Sequence, residues 1–200
     1  MYRSFLKRFC DVAVALIAFP VWIVILIVIG PMIYLEDKGP IFYKSQRLGK
    51  NGRVFTMYKF RSMKVNAPDL RNDDGSTFNA DDDPRLTRIG RFIRKTSLDE
   101  TPQIINVIKG DMSIIGPRPD LPEHLDLYEG DEKRKLEVKP GITGYNQAYY
   151  RNTIPWKERI LNDIYYVDNL SFWLDVMIFL KTIVKVLKQE DVYVQPKKRD

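Results

Sequence analysis

The feature that most restricts this 200-residue chain is an unbroken run of 24 residues, Val12 to Leu35, without one charged side chain. Crossing the hydrocarbon core of a bilayer takes about 20 helical residues, so length alone permits a membrane span. The run is too long for the apolar region of a secretory signal, and no small-x-small cleavage site follows Pro31. Mean hydropathy over the whole chain is −0.29, which speaks against a polytopic membrane protein. One membrane-active segment is therefore joined to an otherwise water-soluble part.

Pro20 lies well inside the run. It removes one backbone donor and clashes with the carbonyl four residues back, so a kink is expected near Leu16 to Pro20, and Pro31 behind Gly30 loosens the far end. Arg3, Lys7 and Arg8 precede the run. After Lys38 come Lys44, Arg47, Lys50, Arg53, Lys59, Arg61 and Lys64 without an acidic residue between. Positive flanks prefer the cytoplasmic side, and a single span cannot place both there. A helix broken at Pro20 that enters and leaves by one face satisfies both, provided the freed backbone groups are covered. A Pro-kinked single-pass anchor stands as an equal alternative on these grounds.

The remainder has the length for one domain with a core. The net charge of +6 predicts an anionic partner: nucleic acid, a phosphorylated metabolite or an acidic lipid surface. That charge is unevenly spread. Lys38 to Lys64 contributes +8, the loop through Asp83 subtracts five, and Arg85 to Lys95 restores five. Cys10 alone excludes an intramolecular disulfide or a cysteine-based zinc finger.

Ile41 to Gln46 and Arg53 to Phe60 read as strands around an Asn51-Gly52 hairpin turn. Asn66 to Pro84 is acidic and rich in Gly, Asn and Asp, a mobile surface loop whose carboxylate spacing fails the EF-hand pattern. Arg85, Arg88, Arg91 and Arg94 then recur every third residue, followed by Lys95, a cationic helix stripe or simply a solvated face. Ser97 and Glu100 form a capping box before the apolar Ile104, Ile105, Val107 and Ile108, although Pro102 moves the expected helix start toward Thr101. Asp99 and Glu100 would then sit at the positive end of a helix dipole, which favours their ionised forms. Pro117 and Pro119 fix the backbone on both sides of Arg118, pre-ordering its guanidinium for a phosphate or carboxylate. Pro140 to Gly144 is a second rigid turn, and His124, the only histidine, is assigned no role. Trp156 to Asp168 and Ser171 to Lys188 read as helices; the second is either a core helix or an interfacial one, with Phe172, Trp173, Val176, Phe179, Leu180, Ile183, Val184 and Leu187 on one face. The tail Pro196 to Asp200 is expected to fray.

Several segments together resemble the small bacterial sugar transferases, the monotopic polyprenyl-phosphate phosphoglycosyl transferases. These are Lys7-Arg8 with Asp11, the apolar run with its proline, Tyr58 to Met63, Ser97 to Glu100, Lys109 to Ser113, Gly116 to Pro119, Pro140 to Gly144, and Arg151-Asn152, in family order from residue 7 to about 190. The resemblance implies an α/β fold: residues 1–37 a re-entrant helix in one leaflet, 38–195 a membrane-associated catalytic domain with amphipathic C-terminal helices, and 196–200 a tail. It implies transfer of a phospho-sugar from a UDP-sugar to polyprenol phosphate with release of UMP, at the cytoplasmic face of the bacterial inner membrane. An N-acetylated amino sugar is the donor the family favours. Asp99 would be the nucleophile and a ligand of Mg²⁺, with Glu100 a supporting carboxylate. Neutralising a diphosphate is work for cations, and Lys59, Arg94, Arg118 and Arg151, with Pro117 and Pro119 shaping the turn, are the expected substrate-binding residues. One departure is Phe19 before Pro20, where the family commonly has Ser-Pro. Two rivals are a metal-dependent glycosyltransferase using Asp81-Asp82-Asp83 and releasing UDP, and a basic membrane-surface module without catalysis. No nucleic-acid partner is expected, and the sequence leaves the oligomeric state open.

Overall fold

The computed structural model describes residues 2–70, 80, 82–150 and 153–188. Helix α1 (Lys7–Asp37) is helical without interruption through Pro20 and Pro31. Its buried residues are Lys7, Asp11, Ala15, Trp22, Ile29, Gly30 and Ile33, largely steps of four and seven that trace one stripe along the helix. Ala15 and Trp22 pack against Phe55, Met57, Ile104, Val107 and Met112, and Ile29 and Ile33 against Phe60 and Ile93. Burying a large apolar side chain contributes about 1.5–3 kcal/mol, so this stripe holds the helix to the domain along most of its length.

Polar side chains tie down both ends. Lys7 donates to Asp175 at 2.7 Å, Arg8 to the carbonyls of Val107 and Ile108, and the Asp11 carboxylate accepts from Ser113 Oγ and Ile114 N–H. At the other end Glu36 accepts from the Arg88 and Ile89 amides, and Asp37 is gripped by Arg61 at 2.5 and 2.6 Å. The other sides of the helix are exposed and apolar, including Leu16, Ile17, Val21, Val24, Ile27 and Val28. Only 17% of its most apolar stretch is buried, the opposite of a soluble core helix.

Strands β1 (Phe42–Leu48) and β2 (Val54–Phe60) form the expected hairpin, antiparallel from Phe42 opposite Phe60 to Leu48 opposite Val54. Asn51 and Gly52 take positive φ, as that turn demands. Helix α2 (Arg88–Lys95) is capped by Thr87. Arg85 stands outside it, and its guanidinium grips the buried Asp83 instead. The three-residue stripe therefore starts at Arg88, and Asp83, held well below the usual carboxylate range by Arg85 against the opposing effect of burial, is already fully engaged.

Helix α3 (Ile104–Lys109) follows a 3₁₀ segment, Leu98–Gln103. Strand β3 (Ser113–Ile115) pairs in parallel with β4 (Gly141–Thr143). After α4 (Tyr145–Tyr149) come α5 (Trp156–Asp168) and α6 (Phe172–Lys188). Only Leu174, Asp175 and Ile178 of α6 are buried, and its broad apolar face from Phe172 to Leu187 is exposed. The fold is thus a mixed helix and strand domain bearing one long apolar N-terminal helix.

Candidate active site

The capping box expected at Ser97 does not form. Ser97 adopts a left-handed conformation, φ 58°, and makes no side-chain cap bond, and the chain enters a 3₁₀ turn in place of an α-helical one. The cause lies on β2. Asn106, fully buried, donates to the Thr56 carbonyl at 2.7 Å and accepts from the Tyr58 amide at 3.1 Å, standing in for a neighbouring strand. That grip sets the Asp99-Glu100 turn over β2, where Lys59 Nζ donates to Glu100 Oε1 at 2.7 Å. Nothing in the sequence around Asn106 advertises this role.

Arg118 reaches the same oxygen of Glu100 at 3.3 Å. Its turn is tightly fixed. The Pro117 carbonyl accepts from Gly141 N–H at 2.9 Å, the Asp120 carbonyl from Leu48 N–H at 2.9 Å, and the Arg118 carbonyl from the buried Lys135 ammonium at 3.4 Å. A Cβ at Gly141 or Gly144 would stand 2.1 Å from the Gly116 backbone, so the close approach of the two turns requires glycine there. Lys135 bridges Asp120 and Asp163 at 2.6 and 2.8 Å, a buried ion cluster beneath the turn.

Asp99 is buried, and among the described residues its carboxylate makes no hydrogen bond or ion pair. Burial, with Glu100 beside it, pushes its carboxyl up to about 6 against the pull of Lys59, Arg94 and Arg118. Burial acts the same way on Glu100, but there Lys59 and Arg118 prevail and hold the carboxyl down at about 2. Burial lowers Lys59, and Glu100 partly restores it. The helix-dipole expectation, both carboxylates favoured as anions, is corrected for Asp99: it sits in a largely buried 3₁₀ turn and, among the described residues, lacks a donor. The two neighbours are driven apart, one bonded by two cations and one without a bonded partner among the described residues.

Lys59, Glu100 and Arg118 are in direct contact, with Asp99 in their field. Arg94 lies on α2, half-buried, with Nε bonded to Ser62 Oγ at 3.0 Å. Pro117 and Pro119 flank Arg118 in the turn. Arg151, and Asp81 of the alternative aspartate motif, lie outside the described residues. Sequence reasoning missed Asn106, Lys135 and Arg47, the last a guanidinium beside Arg118. Among the described residues no three His, Cys, Asp or Glu side chains cluster as a metal cage.

One domain thus brings together a long apolar N-terminal helix, an Asp-Glu pair and a rigid Pro-Arg-Pro turn. The chain belongs to the bacterial sugar transferase family, whose model matches residues 2–189. It is 43% identical over 187 residues to the uncharacterized sugar transferase EpsL of Bacillus subtilis, across 94% of this chain and 90% of that protein. It is 42% identical over 206 residues to the undecaprenyl-phosphate galactose phosphotransferase of Salmonella typhimurium, and 40% identical over 179 residues to the UDP-glucose:undecaprenyl-phosphate glucose-1-phosphate transferase of Xanthomonas campestris. These matches take in 94% and 84% of this chain but 42% and 36% of those longer proteins.

Proposed function

We propose that the chain transfers a sugar phosphate from a UDP-sugar to polyprenol phosphate through a covalent intermediate on Asp99. The carrying observation is the Asp99 carboxylate, buried and, among the described residues, without a hydrogen-bond donor beside a Glu100 whose Oε1 accepts from both Lys59 and Arg118. An Asp99 oxygen attacks the sugar-linked phosphorus, the bond to the bridging oxygen breaks, and UMP leaves with that oxygen's electron pair. A phosphate oxygen of the lipid then attacks the same phosphorus and releases the Asp99 carboxylate. Two displacements at one phosphorus let a soluble donor and a lipid acceptor use the site in turn, with ping-pong kinetics as the result. Lys59 and Arg118 place positive charge where the diphosphate must sit, and Arg94 adds to the field at Asp99.

Asp99 also suits magnesium: it is a hard oxygen ligand with no competing donor, and Mg²⁺ is commonly held by one or two carboxylates plus substrate phosphates. The ion, when bound, would withdraw charge from the diphosphate oxygens. Membrane attachment is by α1 lying in one leaflet, its exposed apolar sides in lipid and its two tethered ends on one face of the bilayer, the cytoplasmic one by the charge of its flanks. The apolar face of α6 rests on the same surface. The donors to screen are N-acetylated amino sugars and the galactose and glucose that appear in the relatives' names.

The test incubates the protein with a UDP-sugar and no lipid. A phospho-sugar mass on the peptide containing Asp99 is expected, together with one equivalent of UMP. Full turnover by Asp99→Asn, or UDP as the product, overturns the mechanism.

A further inference from the structure

Arg47 is a half-buried cation that, among the described residues, has no partner, and it stands beside the Arg118 turn. Its Nε is sealed from solvent with no hydrogen bond, and among the described residues none of its guanidinium nitrogens makes a hydrogen bond or an ion pair. It projects from β1, one residue before Leu48, whose N–H is bonded to the Asp120 carbonyl and so fixes the strand against the Pro117-to-Pro119 turn. Strand alternation sets Arg47 on the hairpin face shared by Tyr43, the cross-strand partner of Lys59. Arg118 stands close enough to act electrostatically on both Lys59 and Arg47. Three cations thus follow one another past the turn.

The carboxylates are not matched to them. Glu100 serves Lys59 and Arg118 at one end. At the other end Asp120 is taken up by Lys135, Tyr128 and Trp156, and Glu123 is exposed and makes no ion pair with Arg47. Burial and then Arg118 push the Arg47 guanidinium below its usual range, while Tyr43, Asp120 and Glu123 pull it back. Two neighbouring guanidinium groups, one with only a long bond and one with none, form an arrangement that an anion would relieve.

We propose that Arg47 is a substrate-binding residue which, with Arg118, holds the nucleotide-side phosphate of the donor while the sugar-side phosphate faces Asp99. This rests on the UDP-sugar reading above and adds a second phosphate subsite to it. It also assigns a direction: the nucleotide lies toward the β1 end of the turn and the sugar toward Lys59 and Asp99.

The experiment measures binding of UMP, uridine and inorganic pyrophosphate to the full chain in detergent or nanodiscs by calorimetry, comparing wild type, Arg47→Met and Arg47→Lys, with Lys44→Met as the surface-charge control. Arg47→Met is expected to weaken UMP and pyrophosphate by about 10-fold or more and leave uridine unchanged, because only the phosphate contact is lost. Arg47→Lys should recover part of the affinity, as a point charge replaces a fork. Unchanged UMP and pyrophosphate affinity in a folded Arg47→Met overturns the inference. If that variant fails to fold, Arg47→Lys decides, and wild-type affinity for both phosphates then counts against the subsite. Arg47-dependent pyrophosphate binding with no UMP release from any UDP-sugar would sink the donor reading and keep the anion site. UMP release with wild-type KM by Arg47→Met would do the reverse.

Discussion

A largely buried carboxylate given no donor costs free energy, and Asp99 carries that cost in the folded chain. Its folded pKa of about 6 lies above the ordinary 3.8, so folding disfavours the anion. The penalty is complete above pH 6, shrinks as pH falls through 6, and is absent below about 4. Asp99→Asn should therefore stabilise the protein at pH 7.5, by about 1–3 kcal/mol, while abolishing turnover. Denaturant melts in EDTA at pH 7.5 and pH 3.5 check this, and the gain should all but vanish at the lower pH. The same shift gives the pH–rate profile of kcat/KM an acid limb near 6, where an unperturbed aspartate would hold full rate down to about 4. Glu100, held down near 2 by Lys59 and Arg118, contributes no limb in this range.

The elements around this residue are joined by contacts distant in sequence, and Asn106 makes the plainest of them. Asn106→Leu keeps the volume but leaves the Tyr58 amide and the Thr56 carbonyl unpaired in a buried setting. The expected cost is about 2–4 kcal/mol, read by chemical denaturation, with kcat falling more than donor KM rises because the Asp99-Glu100 turn loses its seat on β2. Local signals fared well wherever local physics decides. The Asn51-Gly52 turn and its arms, and α5 from Trp156 to Asp168, were legible from alternation, turn chemistry and length. The Ser97 capping box was a valid local pattern that lost to tertiary contacts, since Glu100 finds Lys59 and Arg118 in place of the cap amide. Arg85 left its periodic row for the same reason, drawn to Asp83 two residues away. The candidate site residues were legible as residue types, through a family resemblance. Their contacts were not, because spacing alone cannot say which of two adjacent carboxylates is neutralised by a lysine 41 positions upstream.

At the scale of the whole molecule, α1 presents a conflict between length and attachment. Thirty-one helical residues extend about 46 Å if straight, ample for a bilayer core of about 30 Å. Yet Lys7 and Asp11 near its start, and Glu36 and Asp37 at its end, all bond to one body. A crossing helix would place that body on both sides of the membrane, or break one set of these bonds and leave buried charges such as Lys7 and Asp175 unpaired, a loss of about 3–5 kcal/mol for each broken pair. Lying in one leaflet breaks none of them and still buries Leu16, Ile17, Val21 and Val24 in lipid. Single cysteines at Arg3 and Lys44, introduced after replacing the native Cys10 with serine, should both react with an impermeant maleimide from the cytoplasmic side of oriented vesicles, and neither from the opposite side. Labelling from opposite sides would establish a spanning helix and require the contacts between α1 and the domain to part at one end. Ile17→Asp, on the exposed face, separates membrane attachment from folding: it should release the protein from vesicles while its melt in detergent stays within about 0.5 kcal/mol of wild type, since that side chain packs against no part of the domain core.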